Sequence, residues 1–266
     1  MTIQDSEAVS SDSGARKPAS KDEQHLGELI EKLKQAAEGD LKCVVLYGSA
    51  VTGEFQSGHS DLNVLCVLER LGGTELEKLN PASAWWVRKG HPAPLVFTPE
   101  ELHRSADVFA IELLDIKLGH RLLFGDDLFI ALDVPMDLHH LQVERELRNH
   151  LVRLRQQYLS APHDDRTRMA LMTGSVSSFI ALFRHGLIAL GQQSPAEPHR
   201  PRRTVVDRMS KLLGFDPSGF HTVLDVREGK TPIKQVDARA TFRAYLEAVA
   251  CVVRQMDEKL PQARRD

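Results

Sequence analysis

Cysteine is scarce in this chain: three in 266 residues, at Cys43, Cys66 and Cys251. Cys43 and Cys66 fall inside strongly apolar runs, so both are expected to be buried core thiols without a redox or metal role. A basic excess is missing as well. The net charge is −3, which argues against general nucleic-acid binding, since that needs a strongly basic domain. No apolar run reaches the length of a membrane span, so no membrane partner is expected. Residues 1–22 are rich in Ser, Asp and Ala and lack the apolar segment of a signal peptide. They are expected to form a disordered tail, with a cytoplasmic location as the default.

What remains is an ordinary globular composition, 42% hydrophobic and 27% charged, with ample length for a core. A helix is expected over about Glu23–Glu38, from the stripe Leu26, Leu29, Ile30 and Leu33. Apolar runs predict strands over about Leu41–Tyr47, Leu62–Leu68 and Pro94–Thr98, and a further one over Arg121–Phe124. Between them, Val51–Phe55 reads as a short helix. A longer helix starts near Thr74, breaks at Pro81 and resumes through Trp85-Trp86 to Lys89. Helices are also read at Pro99–Arg104 and about Val108–Leu118.

From about Asp137 the period is helical almost throughout. Met169, Met172, Val176, Phe179, Phe183, Leu187 and Leu190 recur at threes and fours, and Gly191 ends that helix. Thr204 is the expected cap of a helix that Gly214 ends. Phe242, Leu246, Val249, Val253, Met256 and Leu260 form a bundle seam. The fold class is therefore α+β: a small mixed-sheet domain over 23–130, then an all-helical bundle over 137–260, with a short tail at 261–266.

The chemistry-bearing pattern lies in Leu46-Tyr47-Gly48-Ser49, eleven residues, then Asp61-Leu62-Asn63-Val64. A Gly-Ser turn after a strand exposes backbone N–H groups that can cradle a triphosphate. Gly48 permits close approach of the backbone, and Ser49 adds a hydroxyl. Residues i and i+2 of a strand share a face, so Asp61 and Asn63 would project together. Carboxylates so placed hold the hard ion Mg²⁺, which would orient and neutralise an in-line attack on an α-phosphate.

The pattern resembles the signature of the DNA polymerase beta-like nucleotidyltransferase superfamily. With the helical second half, the chain looks like the aminoglycoside nucleotidyltransferases or the MNT–HEPN type. The resemblance implies a nucleotidyltransferase-like first domain. It also implies transfer of a nucleoside monophosphate from a Mg²⁺-bound nucleoside triphosphate to an acceptor. Gly48 and Ser49 would hold phosphates, and Asp61 and Asn63 would serve as the metal-binding, catalytic pair. Asn63 stands where the family has its second carboxylate. The strand that would carry a third acid, Pro94–Thr98, has none. A degenerate site with weak Mg²⁺ binding follows. The alternative is a non-catalytic regulatory module whose bundle engages a protein partner.

Other groups read more plainly. Glu112 and Asp115 share a helical face and are expected to pair with Lys117, His120 or Arg121. Arg145 and His150 have the Arg-x4-His shape of HEPN ribonucleases, but a separation of five points them roughly 140° apart on a helix. The basic, Pro-rich run 195–203 reads as a solvated linker. Of Trp85 and Trp86, one ring is expected in the core. His139-His140 lacks further ligands at metal spacing, so no zinc site is expected there.

Overall fold

A computed structural model describes residues 20–51 and 61–260. The chain divides into two compact units. Among the described residues, one comprises those up to Arg104 together with Asp115–Leu132; the other comprises Ser105–Leu114 and those from Asp133 on.

The first unit is built on a four-stranded mixed sheet in the order β3-β2-β1-β4. β1 (Leu41–Tyr47) is central and antiparallel to β2 (Asn63–Leu68) and β4 (His120–Gly125). β3 (Leu95–Phe97) lies parallel to β2. Cys43 to Leu46 are all buried, as expected of a strand covered on both faces. One face packs on α1 (Ser20–Ala37) and α2 (Gly73–Arg88): Leu26, Leu29 and Leu33 meet Val44, Leu46, Val64, Cys66 and Trp86. Cys43 and Cys66 are buried and free. Burial pushes both thiols up, Cys66 to about 12, so neither supplies a thiolate.

Two sequence expectations are corrected in this unit. Pro81 does not break α2, which runs through it. The proline removes one backbone donor, but Leu79, Ala82 and Trp86 bury the helix face on both sides of it. Asp22, assigned to the tail, lies in the first turn of α1. Of the helix expected over Val51–Phe55, only Val51 is described, and it sits in a turn; 52–55 lie outside the described residues. As expected, Trp86 is fully buried and Trp85 only partly, with Lys32 and Lys89 over its ring. The short α3 (Pro99–Arg104) follows β3. α4 (Ala110–Leu118) is divided between the units after residue 114, because Ile111 belongs to the helical core.

The second unit is a bundle of α5 (His139–Ser160), α6 (Asp165–Ala189), α7 (Arg202–Leu213), α8 (Ser218–Arg227) and α9 (Ala238–Lys259). Asp164 caps α6 by accepting from the Thr167 amide, and Asp237 caps α9 in the same way. α6 is central. By length and mean hydropathy alone it would suffice to cross a membrane, contrary to the expectation that no segment is long enough. Most of its apolar residues are buried inside the bundle instead. α7 begins at Arg202 after Pro201, so Thr204 lies inside it and caps nothing. The fixed φ and missing N–H of proline suit the residue entering a helix. Gly214 ends α7 in the left-handed conformation, and Gly191 follows α6 in the same way. Gly219 on α8 packs so close to α9 that a Cβ there would stand 2.6 Å from the Tyr245 amide nitrogen.

Inside this bundle lies a buried imidazole chain. Arg184 Nη2 donates to His185 Nε2 at 2.8 Å. The ring proton of His185 is therefore on Nδ1, which is 2.8 Å from His139 Nε2 and donates to it. Burial holds His139 down to about 3, helped by His185, and holds His185 well below its ordinary value, helped by Arg184. Both stay neutral in the native state while the unfolded chain protonates them below about pH 6.5. Above that pH the two states bind equal protons and the pair adds no pH dependence to stability. As pH falls, the unfolded state gains protons that the native state refuses. Stability then drops by up to about 1.4 kcal/mol per pH unit per histidine. The unfolding free energy from urea titrations followed by far-UV circular dichroism should fall between pH 7.5 and pH 5, by roughly 2 kcal/mol per histidine. His139→Gln should remove about half of that slope. An unchanged slope would show that these rings are not the source.

Candidate functional site

β1 ends at Tyr47, paired with Asn63 on one side and His120 on the other. Gly48 turns the chain with φ +79°, and Gly48–Ala50 form a single 3-10 turn closed by the Val51 amide on the Gly48 carbonyl, 3.0 Å. A side chain at Gly48 would be strained by φ alone. It would also meet Asn63, since a Cβ there would lie 3.1 Å from Asn63 Nδ2. The carboxamide of Asn63 therefore stands directly against the glycine turn. One 3-10 turn is too short to carry a helix macrodipole, so any anion held here rests on individual N–H groups and the Ser49 hydroxyl.

Asp61 precedes β2, which begins at Asn63 and not at Leu62. Exposure alternates from Asp61 (exposed) through Leu62 (buried) and Asn63 (half-buried) to Val64 (buried). That is the period of an extended chain with one face in the core. His91, which the sequence reading passed over, completes this corner. Its Nδ1 accepts from the Leu62 amide at 3.4 Å, and its ring lies 4.2 Å from that of Trp86. Burial lowers the His91 pKa, and His25 adds to this; the charges of Asp22 and Asp61 oppose it. His25, on α1, is buried beside it with a ring-to-ring distance of 6.3 Å. Nothing in the sequence spacing joins residues 25, 61 and 91. The sheet and the α1–α2 layer bring them to one corner.

β3, beside β2, carries Leu95-Val96-Phe97 and no acid. Lys117, His120 and Arg121, the expected partners of Glu112 and Asp115, each bond another group. Lys117 donates to the Leu132 carbonyl, His120 bonds Asp127 and the Ile116 carbonyl, and Arg121 forms a two-point ion pair with Glu23. Glu112 is exposed and belongs to the helical unit; Asp115 is half-buried and belongs to the sheet unit.

In the bundle, Arg145 is exposed and pairs with Glu146, whereas His150 turns toward Phe179 and lines a cavity of about 270 Å³ with Arg153 and Ser175. Arg145 is absent from that lining. In the basic run 195–203, Arg200 pairs with Glu197, while Arg203, already in α7, pairs with Asp225 and Glu228 at the end of α8. His139 is engaged with His185, as described.

No protein-family profile matches the sequence, and no curated protein matches it. Among solved structures, the spectinomycin adenyltransferase AAD(9) from Enterococcus faecialis, with ATP and spectinomycin, superposes with a TM-score of 0.53 at 12% identity. The match covers 86% of this chain and 99% of that one. At such identity the likeness speaks to architecture: the chain has a nucleotidyltransferase-like α+β fold with a helical C-terminal part.

Proposed function

We propose that this protein binds a Mg²⁺-nucleoside triphosphate at the Gly48–Ser49 turn and holds it without efficient transfer. The reading rests on one observation: the side chain against Gly48 is the Asn63 carboxamide, where a transferase of this fold needs a carboxylate. Gly48 lets the backbone approach the phosphates, and Ser49 contributes a hydroxyl. Asp61, one carboxylate, and the Asn63 carbonyl oxygen form a donor set that fits a single Mg²⁺ arriving on the triphosphate, since Mg²⁺ is commonly held by one or two carboxylates plus phosphate oxygens. The same set does not fit a pair of ions, because one negative charge faces four positive ones. When bound, the ion neutralises phosphate charge and orients the triphosphate. With no acid on β3, deprotonation of an acceptor has no side chain assigned to it there.

ATP, the nucleotide of the AAD(9) structure, and GTP are the probes. Calorimetric titration with Mg²⁺ should give one site per chain with Kd of about 0.1–1 mM, or roughly −4 to −5.5 kcal/mol. Binding should vanish in excess chelator, and pyrophosphate should not accumulate over a buffer blank. Steady pyrophosphate release would overturn the binding-only reading. No heat from either nucleotide at millimolar concentration would overturn nucleotide binding itself.

A further inference from the structure

We infer that Asp22, His25 and His91 form a second divalent-ion site, distinct in chemistry from the oxygen set at Asp61 and Asn63, that takes a nitrogen-seeking transition ion of the Zn²⁺ class. Asp22 and His25 are three apart at the start of α1, so they share a helix face. His91 follows the end of α2 beyond Gly90, whose φ of +96° turns the chain. One ligand atom from each of the three lies within 4.8 Å of the others. His25 is 8% exposed, and its Nδ1 has no hydrogen-bond partner; buried His91 Nε2 has none either. Buried polar atoms are normally satisfied, and here two imidazole nitrogens are left over at the same corner.

A separation within 4.8 Å suits a shared ion. Metal–ligand bonds of about 2.0–2.2 Å put two ligands of one ion roughly 3.3–4.3 Å apart. The three ligand atoms, within 4.8 Å of one another, lie near that separation. Two imidazoles and a carboxylate select Zn²⁺ and its neighbours over Mg²⁺, which prefers oxygen ligands. Three protein ligands leave one coordination position for water. An ion on His91 Nε2 moves the ring proton to Nδ1, which faces the Leu62 amide. The 3.4 Å bond there, at the long limit for a hydrogen bond, is the one contact that ligation opens. The ion would tie the first turn of α1 to the loop after α2, beside the residue that separates Asp61 from Asn63.

The test is a zinc titration of the full chain, stripped with chelator, in competition with a chromophoric chelator at pH 7.5. One Zn²⁺ per chain is expected, undisturbed by millimolar Mg²⁺. Asp22→Asn and His91→Gln should each weaken it by about 100-fold or more, beyond the 10–100-fold typical of losses around a metal's ligands. Neither position is fully buried, and the melting profile of each variant without metal should match that of the stripped wild type. Absence of stoichiometric Zn²⁺ in the wild type would overturn the assignment. So would wild-type affinity in either folded variant, which would place the ion on other histidines. None of these outcomes depends on nucleotide binding.

Discussion

Replacing Gly125 by alanine is expected to unfold the sheet unit while the bundle stays helical. Gly125 ends β4 with φ +77°, a conformation that costs an L-residue roughly 1–2 kcal/mol. A Cβ there would also run into the Lys42 carbonyl oxygen, with the Lys42 carbonyl carbon at 2.8 Å and Cys43 Cα at 3.3 Å. These are backbone atoms of the central strand, so no side chain can swing aside. Either β4 leaves β1 or the register Cys43↔Gly125 shifts. Together, strain and overlap should cost about 3–5 kcal/mol, a large share of the stability of a unit this size. Both tryptophans, Trp85 and Trp86, lie on α2 of the sheet unit, so intrinsic fluorescence reports on that unit alone. Its urea midpoint should collapse in Gly125→Ala, with most far-UV helical signal keeping its wild-type midpoint. Coincident transitions by both probes, at the wild-type midpoint, would show that β4 can yield at no cost.

The strands and long helices were legible because their apolar periods are unmixed. Cys43–Leu46 and Val64–Leu68 read as covered strands and are buried as such. The periodic residues Met169 to Leu187 lie on the core helix α6. Legibility failed where tertiary packing overrode a local signal. Pro81 would end an isolated helix, but α2 is held on both sides of it by buried Leu79 and Trp86. Thr204 has capping chemistry, but Pro201 starts the helix a turn earlier. At the candidate site, the Gly48 turn and the position of Asn63 in the strand follow from local pattern. His25 and His91 are 66 positions apart and carry no shared motif, so only the folded α1–α2 layer joins them. Strand order was equally hidden, because a parallel β2–β3 neighbour cannot be told from an antiparallel one by two apolar runs.

Asn63→Asp is expected to tighten Mg²⁺-nucleotide binding by at least about 10-fold. The side chain already stands against Gly48, so the substitution changes charge and donor type at nearly constant shape. Two unit charges about 4 Å apart interact by roughly 4 kcal/mol at an effective dielectric of 20. Desolvation of the new carboxylate and its repulsion from Asp61 consume much of that, leaving a gain of about 1.4–3 kcal/mol, or 10–150-fold. The gain needs the ion. Without Mg²⁺ a second carboxylate beside a triphosphate is repulsive, so the variant should then bind nucleotide more weakly than the wild type. This reversal of sign distinguishes metal-mediated tightening from a general change in the turn. Calorimetric titration of ATP and GTP against both proteins, with Mg²⁺ and in excess chelator, measures it. Asp61→Asn in the Asn63→Asp background should cancel the gain, because a single carboxylate is then left. Tight wild-type binding that Asn63→Asp leaves unchanged would mean that the missing charge comes from another group, and the one-ion reading of Asp61 and Asn63 would fall.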